Sequence, residues 1–237
     1  MISAPTILRM ALPLLPAWLP ALRGQFIVFD GPDGSGKSTQ YRRFAGLCAA
    51  AGLHVCEVRE PGSTRMGEEI RHLLLDQKKT EGTDVDGTCE MLLFMAARAQ
   101  LVAEKIRPAL LRGELVLADR FIASTLAYQG TAGGMPIEDI LTVGKVALKG
   151  CWPDLTVVFD VDADTADQRM NPLLRGQEFS RAKDRIESRG MAFHRKVRQG
   201  YLEQAKIAPD KYLVIDASKE ADEVFGELVG KMGERVG

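Results

Sequence analysis

Residues 31–38 read GPDGSGKS, and this run constrains the chain more than any other. The order G-x-x-x-x-G-K-S belongs to a loop that leaves a buried strand and opens a helix. Its glycines let the backbone curl until several N–H groups point at one anion. The helix beginning near Lys37 adds the positive end of its dipole, and Lys37 adds a full charge. Ser38 places a hydroxyl where it can ligate the Mg²⁺ that accompanies a nucleoside triphosphate. The strand is visible directly before the loop as Phe26-Ile27-Val28-Phe29. Gly31, Pro32, Asp33, Gly34, Ser35, Gly36, Lys37, Ser38 and Thr39 are therefore the expected nucleotide-binding residues.

A strand of that kind needs neighbours. Further apolar runs at 54–58, 115–118, 155–159 and 212–215 supply them. Helical stretches alternate with these runs, at 40–51, 65–76, 88–111, 121–128, 137–149, 164–170, 184–207 and 221–232. On the 88–111 stretch Met95, Ala99, Val102 and Ile106 form the core stripe, and Pro108 is placed to kink or break its end. Residues 129–134 read as a glycine-rich loop. Continuously apolar strands alternating with helices predict one doubly wound α/β domain, a five-stranded parallel sheet with helices on both faces. Residues 24–237 belong to it. An apolar content of 46% is enough for its core.

Residues 1–23 differ from the rest, being rich in Leu, Ala and Pro and free of acidic side chains. Their apolar part is interrupted by Pro13, Pro16 and Pro20 and is too short to span a bilayer. A weak targeting segment is one reading. The favoured expectations are a disordered extension or a start assigned too far upstream. The net charge of −1 gives no electrostatic case for nucleic acid or an anionic membrane. Cys48, Cys56, Cys89 and Cys151 show no paired spacing and read as reduced thiols of a cytoplasmic protein. The three histidines form no ligand spacing, so no metal is expected beyond Mg²⁺ brought in with the nucleotide.

In an open parallel sheet, ligands bind outside the carboxyl ends of the strands. The phosphate loop, Glu60-Pro61-Gly62 and Asp119-Arg120 each follow such an end, so topology alone brings them to one edge. Arg59, Arg71, Arg98 and Arg120 concentrate positive charge there. Phe94 and Arg98 lie one helical turn apart, an aromatic face beside a guanidinium that suits a base and its phosphate. The plainer alternative leaves Phe94 in the core with Arg98 snorkelling. Asp119 either pairs locally with Arg120 or holds Mg²⁺. Asp33 sits inside the anion cradle, where an acid should turn from the triphosphate towards a second substrate.

The runs GPDGSGKST, REPGST with GEEIR, LLFMAARAQ, ADRFIASTLAYQG, PDLTVVFDV, DRIES and FHRKVRQGYL resemble, in order, the bacterial thymidylate kinases, a family of P-loop nucleoside monophosphate kinases. The resemblance runs from about Gly24 to the C-terminus. It implies transfer of the γ-phosphate of ATP to dTMP. By position, Phe94 would stack on thymine, and Thr125 and Gln129 would read its edge. Arg71, Arg98 and Arg120 would hold the dTMP phosphate. Tyr128 would crowd the ribose 2′ position, and Asp33 would lie near the sugar and acceptor phosphate. Pro61 would follow a cis bond that aims Glu60 into the site. A key basic residue that some members carry in the P-loop must here come from a lid at about 169–185. The candidates are Arg175, Arg181, Lys183 and Arg185, with Arg181 and Arg185 favoured. Family members are commonly homodimers, and the 88–111 helix is the candidate interface. Ser63 stands where the family usually has a second glycine.

A GTPase needs an N-K-x-D motif, and Asn171 is the only asparagine in the chain. A deoxynucleoside kinase has no need of several arginines at the acceptor, because a nucleoside carries no phosphate. A P-loop sensor or ATPase without a small acceptor would keep Lys37 and Ser38 but not the Phe94, Thr125 and Gln129 pocket.

Overall fold

β1 (Phe26–Asp30) is buried at every position, as a strand with partners on both edges and helices on both faces must be. The computed structural model of the chain describes residues 15–76, 85–170, 184–186 and 188–236. β2 (Val55–Arg59), β3 (Leu115–Asp119), β4 (Leu155–Asp160) and β5 (Tyr212–Asp216) complete the sheet. Its order is β2-β3-β1-β4-β5, and every pairing is parallel. The expected doubly wound α/β architecture is what forms. All five strands end on a charged residue: Asp30, Arg59, Asp119, Asp160 and Asp216. The apolar runs mark only the strand interiors, and the ladder carries on to a side chain at the carboxyl edge.

The period of two along β1 divides the core. Ile27 and Phe29 face the layer built on α1 (Lys37–Ala50) and α9 (Ala221–Val236). Phe26 and Val28 face the layer built on α3 (Gly87–Leu101) and α6 (Ile137–Leu148).

Several elements depart from their expected bounds for identifiable reasons. α2 (Arg65–Leu75) is capped by Thr64, whose Oγ1 accepts from Gly67 N at 2.9 Å. The expected 88–111 helix is three pieces: α3, a π-helical turn over Val102–Ile106, and α4 (Arg107–Leu111). Pro108 sits in the first turn of α4, where a missing N–H costs nothing, and the wider turn before it absorbs the offset. α5 (Ile122–Thr125) runs on into π-helical Leu126–Ala132, so Tyr128 and Gln129 lie on a helix. This corrects the loop expected from residue 129. Gly130 is there for packing, since a Cβ on it would come within 2.5 Å of Ile137 Cδ1.

After α7 (Ala163–Met170), the helix expected from residue 184 is α8 (Met191–Ile207), which starts behind Gly190. Residues 184–186 are drawn off instead, Arg185 N donating to Leu75 O at 3.4 Å.

Of the segment expected to be a disordered extension or a misplaced start, residues 1–14 lie outside the described residues, and 15–23 fold onto the core. Trp18 stacks on Phe44 with ring centroids 6.5 Å apart. A 3₁₀ turn over Leu19–Leu22 buries Leu19 and Leu22 in the α1/α9 layer. Pro20, one of the prolines that hide any helical period here, sits in the opening residues of the turn. Leu19→Ala is expected to cost about 2–5 kcal/mol in urea unfolding at unchanged m. A change within about 0.5 kcal/mol would make this segment a tail with no share in the core.

Candidate active site

The chain crosses from one side of β1 to the other between β3 and β4, so the crevice at the end of β1 is where such a sheet binds ligands. The loop after β1 must pass close to β4. A Cβ on Gly31, at φ +139°, would come 2.6 Å from Phe159 O, so only glycine fits. Gly36, at φ +77°, then turns the chain into α1. An L side chain in that left-handed region costs about 1–2 kcal/mol. Lys37 is the first residue of α1, and its ammonium lies against the carboxylate of Asp119. The register explains the meeting, since Asp119 on β3 is level with Phe29 on β1. Asp119 therefore pairs with Lys37, not with its neighbour Arg120.

Arg120 has φ +70°, an unfavourable backbone for a side chain of this size. The strain is held by its contacts. Its backbone N donates to Phe29 O at 3.0 Å. Nη2 donates to Asp33 Oδ1 at 2.5 Å, and Nη1 reaches Ser124 Oγ at 3.0 Å and Tyr201 Oη at 3.2 Å. Tyr128 Oη donates to the other Asp33 oxygen at 2.8 Å, and its ring lies 5.3 Å from the Arg120 guanidinium. Burial alone would push the Asp33 carboxyl up. The Arg120 charge, the Tyr128 hydroxyl and Lys37 outweigh it and hold Asp33 below the usual carboxylate range. Burial works against the Arg120 charge too, yet Asp33 and Asp30 keep its pKa well above ordinary. Burial, with Asp33 beside it, keeps Tyr128 a neutral hydroxyl.

The opposite wall comes from β2, α2 and α3. The Glu60–Pro61 bond is cis, and both residues line the cavity. Arg98, only 1% exposed, donates to Glu60 Oε2 from Nε at 2.8 Å and to Thr125 Oγ1 from Nη2 at 3.1 Å. Its guanidinium also lies 5.1 Å from the Phe121 ring. Burial pushes the Glu60 carboxyl up to about 7 against the pull of Arg98. Glu60 Oε1 is buried with no partner among the described residues. Arg71 Nη1 donates to Pro61 O at 3.0 Å. Ser63 has φ +64°, a conformation that favours the glycine it replaces. Its hydroxyl offsets the strain by accepting from Arg59 N at 2.8 Å.

One cavity is lined by Asp33, Lys37, Ser38, Glu60, Pro61, Arg71, Phe94, Arg98, Asp119, Arg120, Thr125, Tyr128 and Gln129. The residues expected at the acceptor thus come together beside the phosphate loop. Phe94 is half-buried there, with a face left for a ligand. Arg98, expected at a phosphate, reaches Thr125, which the resemblance assigns to the base edge. Arg185, expected at the transferred phosphate, is held between α3 and α2: its guanidinium pairs with Glu90 of α3 and its Nε donates to Leu74 O of α2 at 3.0 Å. Arg175, Arg181 and Lys183 lie outside the described residues.

The sequence reading missed Asp30, Ser124, Tyr201 and Glu90. Asp30 had a signal, an acid closing an apolar run. For the others no local pattern marks the partner. Among the described residues no group of three or more His, Cys, Asp or Glu side chains is placed to hold a metal, and no helix is long and apolar enough to cross a membrane.

The sequence profile described as thymidylate kinase matches residues 29–228. A thymidylate kinase of Geobacillus sp. (strain WCH70) is 40% identical over 215 residues, covering 91% of this chain and 99% of its own. One of Desulforudis audaxviator is 44% identical over 201 residues, covering 84% and 86%. The crystal structure of thymidylate kinase from Ehrlichia chaffeensis superposes with a TM-score of 0.68 at 31% identity, covering 88% of this chain and 97% of that one. With residues 29–228 matched by the profile and most of its length by these relatives, the chain belongs to the thymidylate kinase family.

Proposed function

We propose that this cavity seats dTMP against the P-loop and that the protein transfers the γ-phosphate of ATP to it, giving dTDP and ADP. The observation that carries the reading is the cavity itself. Lys37 and Arg120, held on Asp119 and Asp33, line it together with Phe94, Thr125 and Gln129. A triphosphate on the loop and a monophosphate on Arg120 would be brought together there without any covalent intermediate, so positioning and charge neutralisation suffice. Lys37 neutralises the donor phosphates, and Arg120 with Arg71 holds the acceptor phosphate. Asp33, ionised throughout the neutral range, accepts from Arg120 and orients the sugar. Tyr128 stands over the sugar as the residue that leaves no room for a 2′-hydroxyl. Phe94 stacks on the base, while Arg98, through Thr125, serves the base edge.

Ser38 and Asp119 present hard oxygen donors to the same cavity, which suits a Mg²⁺ that keeps its remaining sites for phosphate and water. When bound, the ion supplies charge neutralisation at the donor phosphates. Of the two favoured lid arginines, Arg181 is the one assigned to the transferred phosphate in this reading, because Arg185 is engaged on Glu90. The four cysteines, all free, fit a cytoplasmic protein. The homodimer common in the family carries over as a reading of this chain, with the half-exposed Leu92 on α3 supporting that helix as its seat.

ADP release with ATP and Mg²⁺ against dTMP, dUMP, UMP, CMP, AMP, GMP and thymidine is the direct test. dTMP is expected to stimulate strongly and thymidine and the ribonucleotides little; no stimulation by any monophosphate would leave only a nucleotide-binding P-loop protein. Arg120→Lys is expected to lower kcat/KM for dTMP by at least about tenfold although the charge is kept, because an ammonium cannot span Asp33, Ser124 and Tyr201 together. A wild-type value would remove the guanidinium fork from the mechanism. Arg181→Ala should lower kcat by at least about a hundredfold with little change in KM, while Arg185→Ala should not follow that pattern. Equal effects on kcat would return Arg185 to the transferred phosphate.

A further inference from the structure

Glu90 on α3 is 1% exposed and does not line the active-site cavity, yet it touches a residue that does. Its Oε1 accepts from Gln129 Nε2 at 2.7 Å. Its Oε2 accepts from Arg189 Nη2 at 2.8 Å and from Arg185 Nη2. Gln129 thus forms part of the cavity wall with a buried carboxylate behind it.

A carboxylate only accepts hydrogen bonds, so the end of the Gln129 carboxamide turned towards it must be the nitrogen. The reverse orientation would set oxygen against oxygen where no water relieves the repulsion. The guanidinium groups of Arg185 and Arg189 occupy the other oxygen of Glu90, so Oε1 is the atom left for Gln129. This matters because a free carboxamide is ambiguous. In one orientation it complements a pyrimidine edge with a hydrogen on N3 and an oxygen on C4, as in thymine. Rotated by half a turn, it complements a bare N3 and an amino group, as in cytosine.

We propose that Glu90 is a positioning residue that locks the Gln129 carboxamide in one orientation, so that the cavity takes a pyrimidine monophosphate carrying N3–H and refuses one with a bare N3. This rests on the reading above that Gln129 meets the base edge. Glu90 has no bearing on the thymine methyl, so dUMP and dTMP are alike to this device.

The test measures kcat and KM with dTMP and with dCMP for the full-length wild type, Glu90→Gln and Glu90→Asp, alongside urea midpoints. In Glu90→Gln the two arginines claim the oxygen of the new amide. Its NH₂ then faces Gln129 and favours the reversed orientation. Glu90→Asp keeps a charge for the arginines but draws it back from Gln129. In both variants the ratio of kcat/KM for dTMP over dCMP is expected to fall by at least about tenfold, through KM more than kcat, with dCMP use rising in Glu90→Gln. A ratio within about twofold of wild type in either folded variant, whatever its midpoint, would make Glu90 a structural anchor for residues 185 and 189 and overturn the inference. Wild-type protein that itself fails to prefer dTMP over dCMP would instead overturn the base-edge reading, and the inference with it.

Discussion

The buried carboxylate of Asp30 is the interaction on which the rest of the site depends. It ends β1 with no exposed surface, and it is met from several separate parts of the chain. Tyr201 Oη on α8 donates to it at 2.6 Å, Ser124 Oγ on α5 at 2.7 Å and Gly31 N of the P-loop at 3.0 Å. Burying a charge without partners costs several kcal/mol, so these elements have little freedom to part. One carboxylate thereby fixes the P-loop to the helix that carries the residues of the acceptor site. It also stands 3.4 Å from Arg120, helping to hold a backbone that would otherwise relax from φ +70°.

The same logic runs through the cavity. Lys37 lies on Asp119, Arg98 on Glu60 and Arg120 on Asp33. A cluster of bare cations would repel itself and lose hydration, whereas each pair is close to neutral and keeps its cation aimed. Such pairs contribute little net stability, since desolvation offsets most of their attraction. Their value lies in geometry: phosphates arriving at Lys37 and Arg120 meet donors already in place, and little reorganisation is left for the reaction. Glu60 marks where the balance is closest, for burial raises its carboxyl to about 7 although Arg98 touches it.

The sheet and the phosphate loop were legible in the sequence because their signals are local. An apolar run of four or five residues and a fixed glycine spacing specify a backbone wherever they occur. The residues expected at the acceptor were named through resemblance, and their convergence on one cavity was legible through topology. What escaped has a common character. Glu90 with Arg185, Asp30 with Tyr201, and Asp160 with Arg198 are pairs 38 to 171 residues apart, and nothing near either partner announces the other. Glycine and proline misled in the opposite direction. Gly130 looked like a helix breaker and is a packing contact, while the prolines before residue 23 masked a segment that buries two leucines.

The π-helical turn over Leu126–Ala132 shows how these two kinds of information meet. An ordinary helix leaving α5 would carry its side chains round by 3.6 residues per turn. The wider turn shifts that register, and within it Tyr128 donates to Asp33 while Gln129, the next residue, donates to Glu90. Successive side chains on a helix diverge, so one short segment reaches Asp33 with one residue and Glu90 with the next. The turn is held from outside by α8. A Cβ on Gly200 would lie 3.1 Å from Ala127 Cα and 2.9 Å from Thr131 Cβ, so helix and turn are in backbone contact. α8 in turn is fixed to two strands, by Tyr201 on Asp30 of β1 and by a two-pronged contact of Arg198 with Asp160 of β4, at 2.7 and 2.8 Å. Tyr128 and Gln129, neighbours in sequence, are therefore placed by a helix some seventy residues further on. That is why Tyr128 and Gln129 were recognisable as residues while the helix was read as ending between them.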